Sequence, residues 1–223
     1  DRTKSRGLGD VYKRQTLGIF GVEVALGGTG NDRIHSSNAD LTSILIDGGL
    51  GNDSLLRGGG GADTIFGGDG VDRLEGQDGN DLLEGGAGAD SLLGGDGDDT
   101  LIGGGGADRM HGENGDDFII GGNGDVIFAN AGDDFIELDG SVDPDLGGAF
   151  IDGNDGFDTV SLVGETNTAS VQRIERVIGS AGVDELVLSD SDNVVAFDIT
   201  EISGVETIHA QKGDDVLTIT TND

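Results

Sequence analysis

The chain has 223 residues, with 45 Gly, one Pro and no Cys, and its 44 acidic against 12 basic side chains give a formal charge of −32. That charge excludes nucleic acid and anionic membrane as partners, and the missing Cys excludes disulfides and thiolate metal sites. No stretch is apolar enough over enough residues to span a bilayer. The length suits one elongated domain or two small ones, and the acidity predicts an open, self-repelling state until something neutralises it.

Residues 1–15 hold five of the twelve basic side chains and none of the pattern that follows. Asp10 to Gln15 (DVYKRQ) back-translates to GATGTGTATAAGAGACAG, which resembles the transposon end used in sequencing libraries. This segment is expected to be extraneous, with the natural N-terminus missing, and no secretory signal peptide is read in it. Residues 16–47 are expected to form a degenerate N-terminal cap, since a solenoid needs a closed end. Within them Gly27 to His35 (GGTGNDRIH) is a full nine-residue unit with Asp32 and Ile34 in place, and Ile44 to Ile46 reads as a longer strand. Gly48 to Leu56 (GGLGNDSLL) is a second full unit, carrying Asp53, and Arg57 reads as one inserted residue.

From Gly58 to Ile120 the sequence is seven nonapeptides without a gap: GGGGADTIF, GGDGVDRLE, GQDGNDLLE, GGAGADSLL, GGDGDDTLI, GGGGADRMH and GENGDDFII. Positions 1 and 4 are Gly throughout. Position 6 is Asp throughout, at Asp63, Asp72, Asp81, Asp90, Asp99, Asp108 and Asp117. Position 8 is always large and apolar, and only position 2 slips, at Gln77 and Glu113. A fixed period of this length marks a stacked repeat. Gly at positions 1, 2 and 4 predicts positive φ and a sharp turn. The last three residues predict a short strand whose middle side chain enters the core. The Asp at position 6 closes the turn and presents an acceptor-only carboxylate beside freed backbone carbonyls. Stacked turns bring these oxygens to common points, which suits a hard cation with about six to eight oxygen ligands; calcium tolerates irregular geometry better than magnesium. One core residue for nine ordered ones is little burial, and stacked carboxylates repel. Calcium binding and folding are therefore expected to be one event.

The units resemble the G-G-x-G-x-D-x-U-x nonapeptide of repeats-in-toxin (RTX) proteins. The resemblance implies an all-β, right-handed parallel β-roll, with two short-stranded parallel sheets, calcium in the turns and two nonapeptides per turn. Units i and i+2 would then share an ion. One column would be Asp63, Asp81, Asp99 and Asp117; the other would be Asp72, Asp90 and Asp108, joined by Asp53, with Asp32 a further ligand. Carbonyls complete the shells in this family, which points to Gly59, Gly61, Gly68, Gly70, Gly79, Gly86, Gly88, Gly95, Gly97, Gly104 and Gly106. It also implies export by type I secretion machinery.

After Ile120 the period weakens. Gly121 to Phe128 (GGNGDVIF) is one residue short, which leaves open whether Asp125 reaches position 6. Ala129 to Glu137 (ANAGDDFIE) ends a calcium-binding block expected over residues 48–137. Residues 138–148, with the only Pro, read as a loop or boundary. Residues 149–223 read as an irregular β-solenoid flank: Ile174 to Leu186 recurs 31 residues later as Val205 to Leu217. Asp134, Asp158, Asp184 and Asp215 lack the full turn glycines and stay open between calcium ligand and ordinary turn residue.

Other chemistries find no footing. His35, His111 and His209 are the only histidines and form no H-E-x-x-H; there is no G-x-S-x-G, and no Lys-Ser/Thr follows a G-G-x-G. Phe66, Glu84, Ile102 and Ile120 would align on one strand column, either as a ladder packed against the flank or as a docking face. The expectation is a calcium-binding segment of a secreted bacterial protein, extracellular or at the cell surface, with several Ca2+ ions as cofactors and an attached domain as partner. It is not expected to be an enzyme by itself. The alternatives are an auxiliary region of a secreted RTX protease, lipase or polysaccharide epimerase, and a surface-layer or adhesin segment.

Overall fold

A computed structural model of the chain describes residues 16–19, 24–36, 43–140, 147–163, 166–179, 183–188, 194–198, 205–210 and 216–220. Residues 1–15 and Asp215 lie outside these, and of Asp184 only the backbone is described. The described residues are strands and turns, without a helix.

The strands alternate between two parallel sheets of eleven strands each. The first sheet holds β1 (Thr16–Ile19), β3 (Arg33–Ser36), β5 (Leu55–Gly60), β7 (Arg73–Asp78), β9 (Ser91–Asp96), β11 (Arg109–Asn114), β13 (Val126–Ala131), β15 (Ala149–Asp155), β17 (Thr166–Gln172), β19 (Val183–Leu188) and β21 (Val205–Ala210). The second holds β2 (Val24–Thr29), β4 (Leu45–Leu50), β6 (Thr64–Asp69), β8 (Leu82–Ala87), β10 (Thr100–Gly105), β12 (Phe118–Gly122), β14 (Phe135–Asp139), β16 (Thr159–Val163), β18 (Arg176–Ile178), β20 (Val194–Asp198) and β22 (Val216–Thr220). Each strand pairs with the one two places on, so two nonapeptides make one turn of the parallel β-solenoid expected from the repeat. The register follows the 18-residue double period: Leu74 pairs with Leu92, and Leu83 with Leu101.

The position-8 side chains fill the space between the sheets. Ile65, Leu74, Leu83, Leu92, Leu101, Met110 and Ile119 are all fully buried and join one continuous core with Ile127, Ile136, Ile151 and Val160. Strands after residue 148 lengthen the same two sheets.

Two local expectations change. The strands of the block run six residues, not three: β6 joins positions 7–9 of one unit to positions 1–3 of the next. Those glycine-rich positions have no side chain to announce a strand, yet Gly68 pairs with Gly86, and Gly86 with Gly104. Arg57 is also not the inserted residue. Leu56 pairs with Leu74 and Arg57 with Glu75, so the extra residue lies between Asp53 and Leu56. Arg57 thus sits at position 9 and, together with Arg73, clamps the buried Glu75 (Nε to carboxylate oxygen 2.6 and 2.8 Å).

Phe66, Glu84, Ile102 and Ile120 do align on the outer face of the second sheet, each partly exposed. The described strands that follow extend the sheets and do not pack over this column.

Candidate metal centres in the turns

From β4 to β14 each turn joining two strands carries a position-6 Asp, as does the turn between β2 and β3, and these turns stack along the two long edges of the solenoid. On one edge each Asp N–H donates to Oδ1 of the Asp one turn later. Asp32 bonds Asp53 (2.8 Å), Asp53 bonds Asp72 (2.6 Å), Asp72 bonds Asp90 and Asp90 bonds Asp108 (both 2.8 Å). On the other edge the same ladder runs from Asp63 to Asp81 (2.7 Å), then to Asp99 and Asp117 (2.8 Å each). The two columns have the membership expected from the sequence, and Asp32 and Asp53 stand in the first.

Of the five residues that sequence reasoning left undecided, the structure places three. Asp125 does reach position 6, accepting the Asp108 N–H at 2.8 Å, because the missing residue of its unit is the one before it. Asp134 and Asp158 extend the second column, with Asp117 N–H on Asp134 at 2.8 Å and Asp134 N–H on Asp158 at 3.0 Å. Glu175 continues that column where no nonapeptide is legible.

The second carboxylate oxygen is the informative one. Oδ2 of Asp53, Asp63, Asp72, Asp81, Asp90, Asp99, Asp117, Asp134 and Asp158 is buried with no hydrogen-bond partner. A buried acceptor without a partner is costly and demands an explanation such as an ion. Burial accordingly pushes these carboxyls up in the cation-free chain, against the pull of the N–H each accepts: Asp53, Asp63 and Asp134 to about 6, Asp81, Asp90, Asp99 and Asp158 to about 7, and Asp117 to about 8.

The glycines show why this carboxylate fits. Positions 2 and 4 have positive φ, as at Gly68 (106°) and Gly70 (137°), but position 1 does not. Position 1 is Gly because of crowding. A Cβ on Gly85 would stand 2.7 Å from Asp90 Oδ2 and 2.6 Å from the Gly103 carbonyl oxygen. The carbonyls of positions 2 and 4 point along the solenoid axis at the equivalent residue of the next turn. A Cβ on Gly86 or Gly104 would come closer than 3.0 Å to the carbonyl oxygen of Gly68 or Gly86, and one on Gly88 or Gly106 to that of Gly70 or Gly88. The other edge repeats this with Gly61 facing Gly79 and Gly79 facing Gly97. Gln77 and Glu113 hold the turn geometry with φ of 95° and 81°, and the Gln77 carbonyl still faces Gly95. Gly59 pairs with Gln77 in the same row.

Among the described residues no three His, Cys, Asp or Glu side chains gather as a metal cluster. Each turn instead offers a lone carboxylate oxygen beside several axial carbonyls. Uncharged, hard oxygen donors with one or two carboxylates suit calcium and not zinc or copper. The residues present therefore fit the ion that the repeat implies.

The family model described as RTX calcium-binding nonapeptide repeat (4 copies) matches residues 17–40, 48–83, 57–92, 93–125 and 124–143, more than half of the chain. The chain belongs to the RTX calcium-binding nonapeptide repeat family. Its block is thus a calcium-binding β-roll segment. The RTX match stops short of Asp158 and Glu175, which the hydrogen-bond ladder nevertheless includes. No curated protein and no solved structure matches the chain.

Proposed function

We propose that this RTX segment is a calcium-triggered folding module of a secreted bacterial protein. The position-6 aspartates and the carbonyls of the position-2 and position-4 glycines hold ions between successive turns. The carrying observation is the buried, unpartnered Oδ2 of Asp53, Asp63, Asp72, Asp81, Asp90, Asp99 and Asp117 along the two edges. Bound calcium supplies the positive charge that lets those carboxylates remain ionised where water is excluded.

The chain's own residues do the rest. Ionised aspartates repel one another along each edge and keep the chain open where calcium is scarce. Once neutralised they donate and accept the turn-to-turn bonds that seat each rung, and the position-8 side chains close the core. Extracellular calcium modules bind at about 10⁻⁴–10⁻³ M, so the folding threshold falls between the inside and the outside of a cell. This reading assigns export to type I secretion machinery, gives the segment no catalysis of its own, and makes it the stabiliser or presenter of an attached module. Circular dichroism of the full chain during calcium titration tests it. A coil-like spectrum in chelator should become β-rich with calcium; a chain already β-rich in chelator at neutral pH contradicts it.

A further inference from the structure

Beyond Asp117 the two edges of the solenoid differ. On the edge of Asp32 to Asp108 the last carboxylate of the ladder among the described residues is Asp125. Its Oδ1 takes the Asp108 N–H and its Oδ2 takes the Gly122 N–H, both at 2.8 Å. Above it the regular turn is replaced by the loop between β14 and β15. There the Asn123 side chain donates to the Gly140 carbonyl (2.9 Å), and the Gly140 N–H donates to Oδ1 of the fully buried Asn167 (2.7 Å).

The other edge carries on. Asp134 and Asp158 are 24 residues apart, against 18 for Asp99 and Asp117. The loop at the opposite edge absorbs the difference, so the turn itself is unchanged. Thr159 N–H donates to the Asp134 carbonyl at 2.8 Å, as Phe118 does to Asp99. Gly132 N–H donates to the Asp155 carbonyl at 3.0 Å, as Gly97 does to Asn114 at 2.8 Å. Gly156 has φ of 142°, and a Cβ there would collide with the Gly132 carbonyl oxygen. Asp134 and Asp158 are 2% and 0% exposed, each with a buried, unpartnered Oδ2. Above them the Asp158 N–H donates to Glu175 Oε2 at 2.7 Å, so a Glu takes the next carboxylate place.

We propose that a calcium site lies between the Asp134 and Asp158 turns, its upper carboxylate outside the matched repeats. The inference rests on the calcium reading above. The two are separated by counting calcium ions on the full chain by native mass spectrometry. Asp158→Asn keeps an oxygen for the Asp134 N–H and is expected to lose at least one ion. Asp99→Asn serves as the control within the block. An unchanged count in Asp158→Asn, with a reduced one in Asp99→Asn, overturns the extra site alone. A wild-type chain that takes up no calcium overturns the broader reading as well.

A second readout does not depend on how Asp158→Asn folds. Phe157 is 52% exposed at the tip of this turn, and the chain has no Trp. In Phe157→Trp, terbium is expected to give tryptophan-sensitised emission that excess calcium quenches by displacement. A dark tip overturns the site.

Discussion

At the scale of the residue, the position-6 Asp divides its labour between two oxygens. Oδ1 belongs to the backbone ladder, and Oδ2 is held against the first glycine of its own unit. The pH consequence follows from the carboxyls raised to about 6–8. A raised acid favours the fold fully below its ordinary value near 4, and that help is lost as pH climbs through the raised values. In chelator the chain should therefore gain β signal on acidification from about pH 8 to about pH 5. Circular dichroism that shows less order at the lower pH would contradict the inward carboxylates. Position 1 gives a second prediction. Gly85→Ala must displace the Asp90 carboxylate or the Gly103 carbonyl, at a cost of about 1–3 kcal/mol. The calcium midpoint should rise accordingly, and an unshifted midpoint would show that the site tolerates a methyl group there. This glycine was legible in the sequence as invariant, but its reason was not. Positive φ explains positions 2 and 4, whereas the crowding at position 1 comes from a side chain five residues on and a carbonyl 18 residues on.

At the scale of the element, one strand and one turn form a unit that cannot stand alone. Leu101 is fully buried between Leu83 and Ile119 in its sheet. Leu101→Ala should cost about 2–5 kcal/mol, read as a lower melting temperature in saturating calcium. Because each rung touches mainly its neighbours, the loss should stay local, with the ion count unchanged. The strand core was readable from the nine-residue period, and both aspartate columns and the parallel pairing were implied by the resemblance to the RTX nonapeptide. Strand length was hidden because the second half of each strand is glycine-rich and shows no alternation of apolar side chains. Asp134 and Asp158 stayed open, and Glu175 was hidden, for another reason. Their spacing departs from 18, and only the structure shows that the loop at the far edge takes up the excess.

At the scale of the whole molecule, eleven strands per sheet at about 4.8 Å spacing make a stack roughly 50 Å long. An open chain of 223 residues has a radius of gyration of about 50 Å, against about 17 Å for a compact one. Small-angle scattering should record a large fall toward the lower value on calcium addition; a radius that stays put would mean that no collapse accompanies binding. The apolar column of Phe66, Ile102 and Ile120 stays uncovered by the described strands, so it belongs to the outside of the finished rod. The ladder bonds also have a direction. Each position-6 Asp N–H that joins the carboxylate ladder reaches for an acceptor that comes later in the chain. A polypeptide delivered amino end first cannot close this ladder on any coil until its successor has arrived, so that part of assembly advances like a zip whose slider always trails the newest tooth.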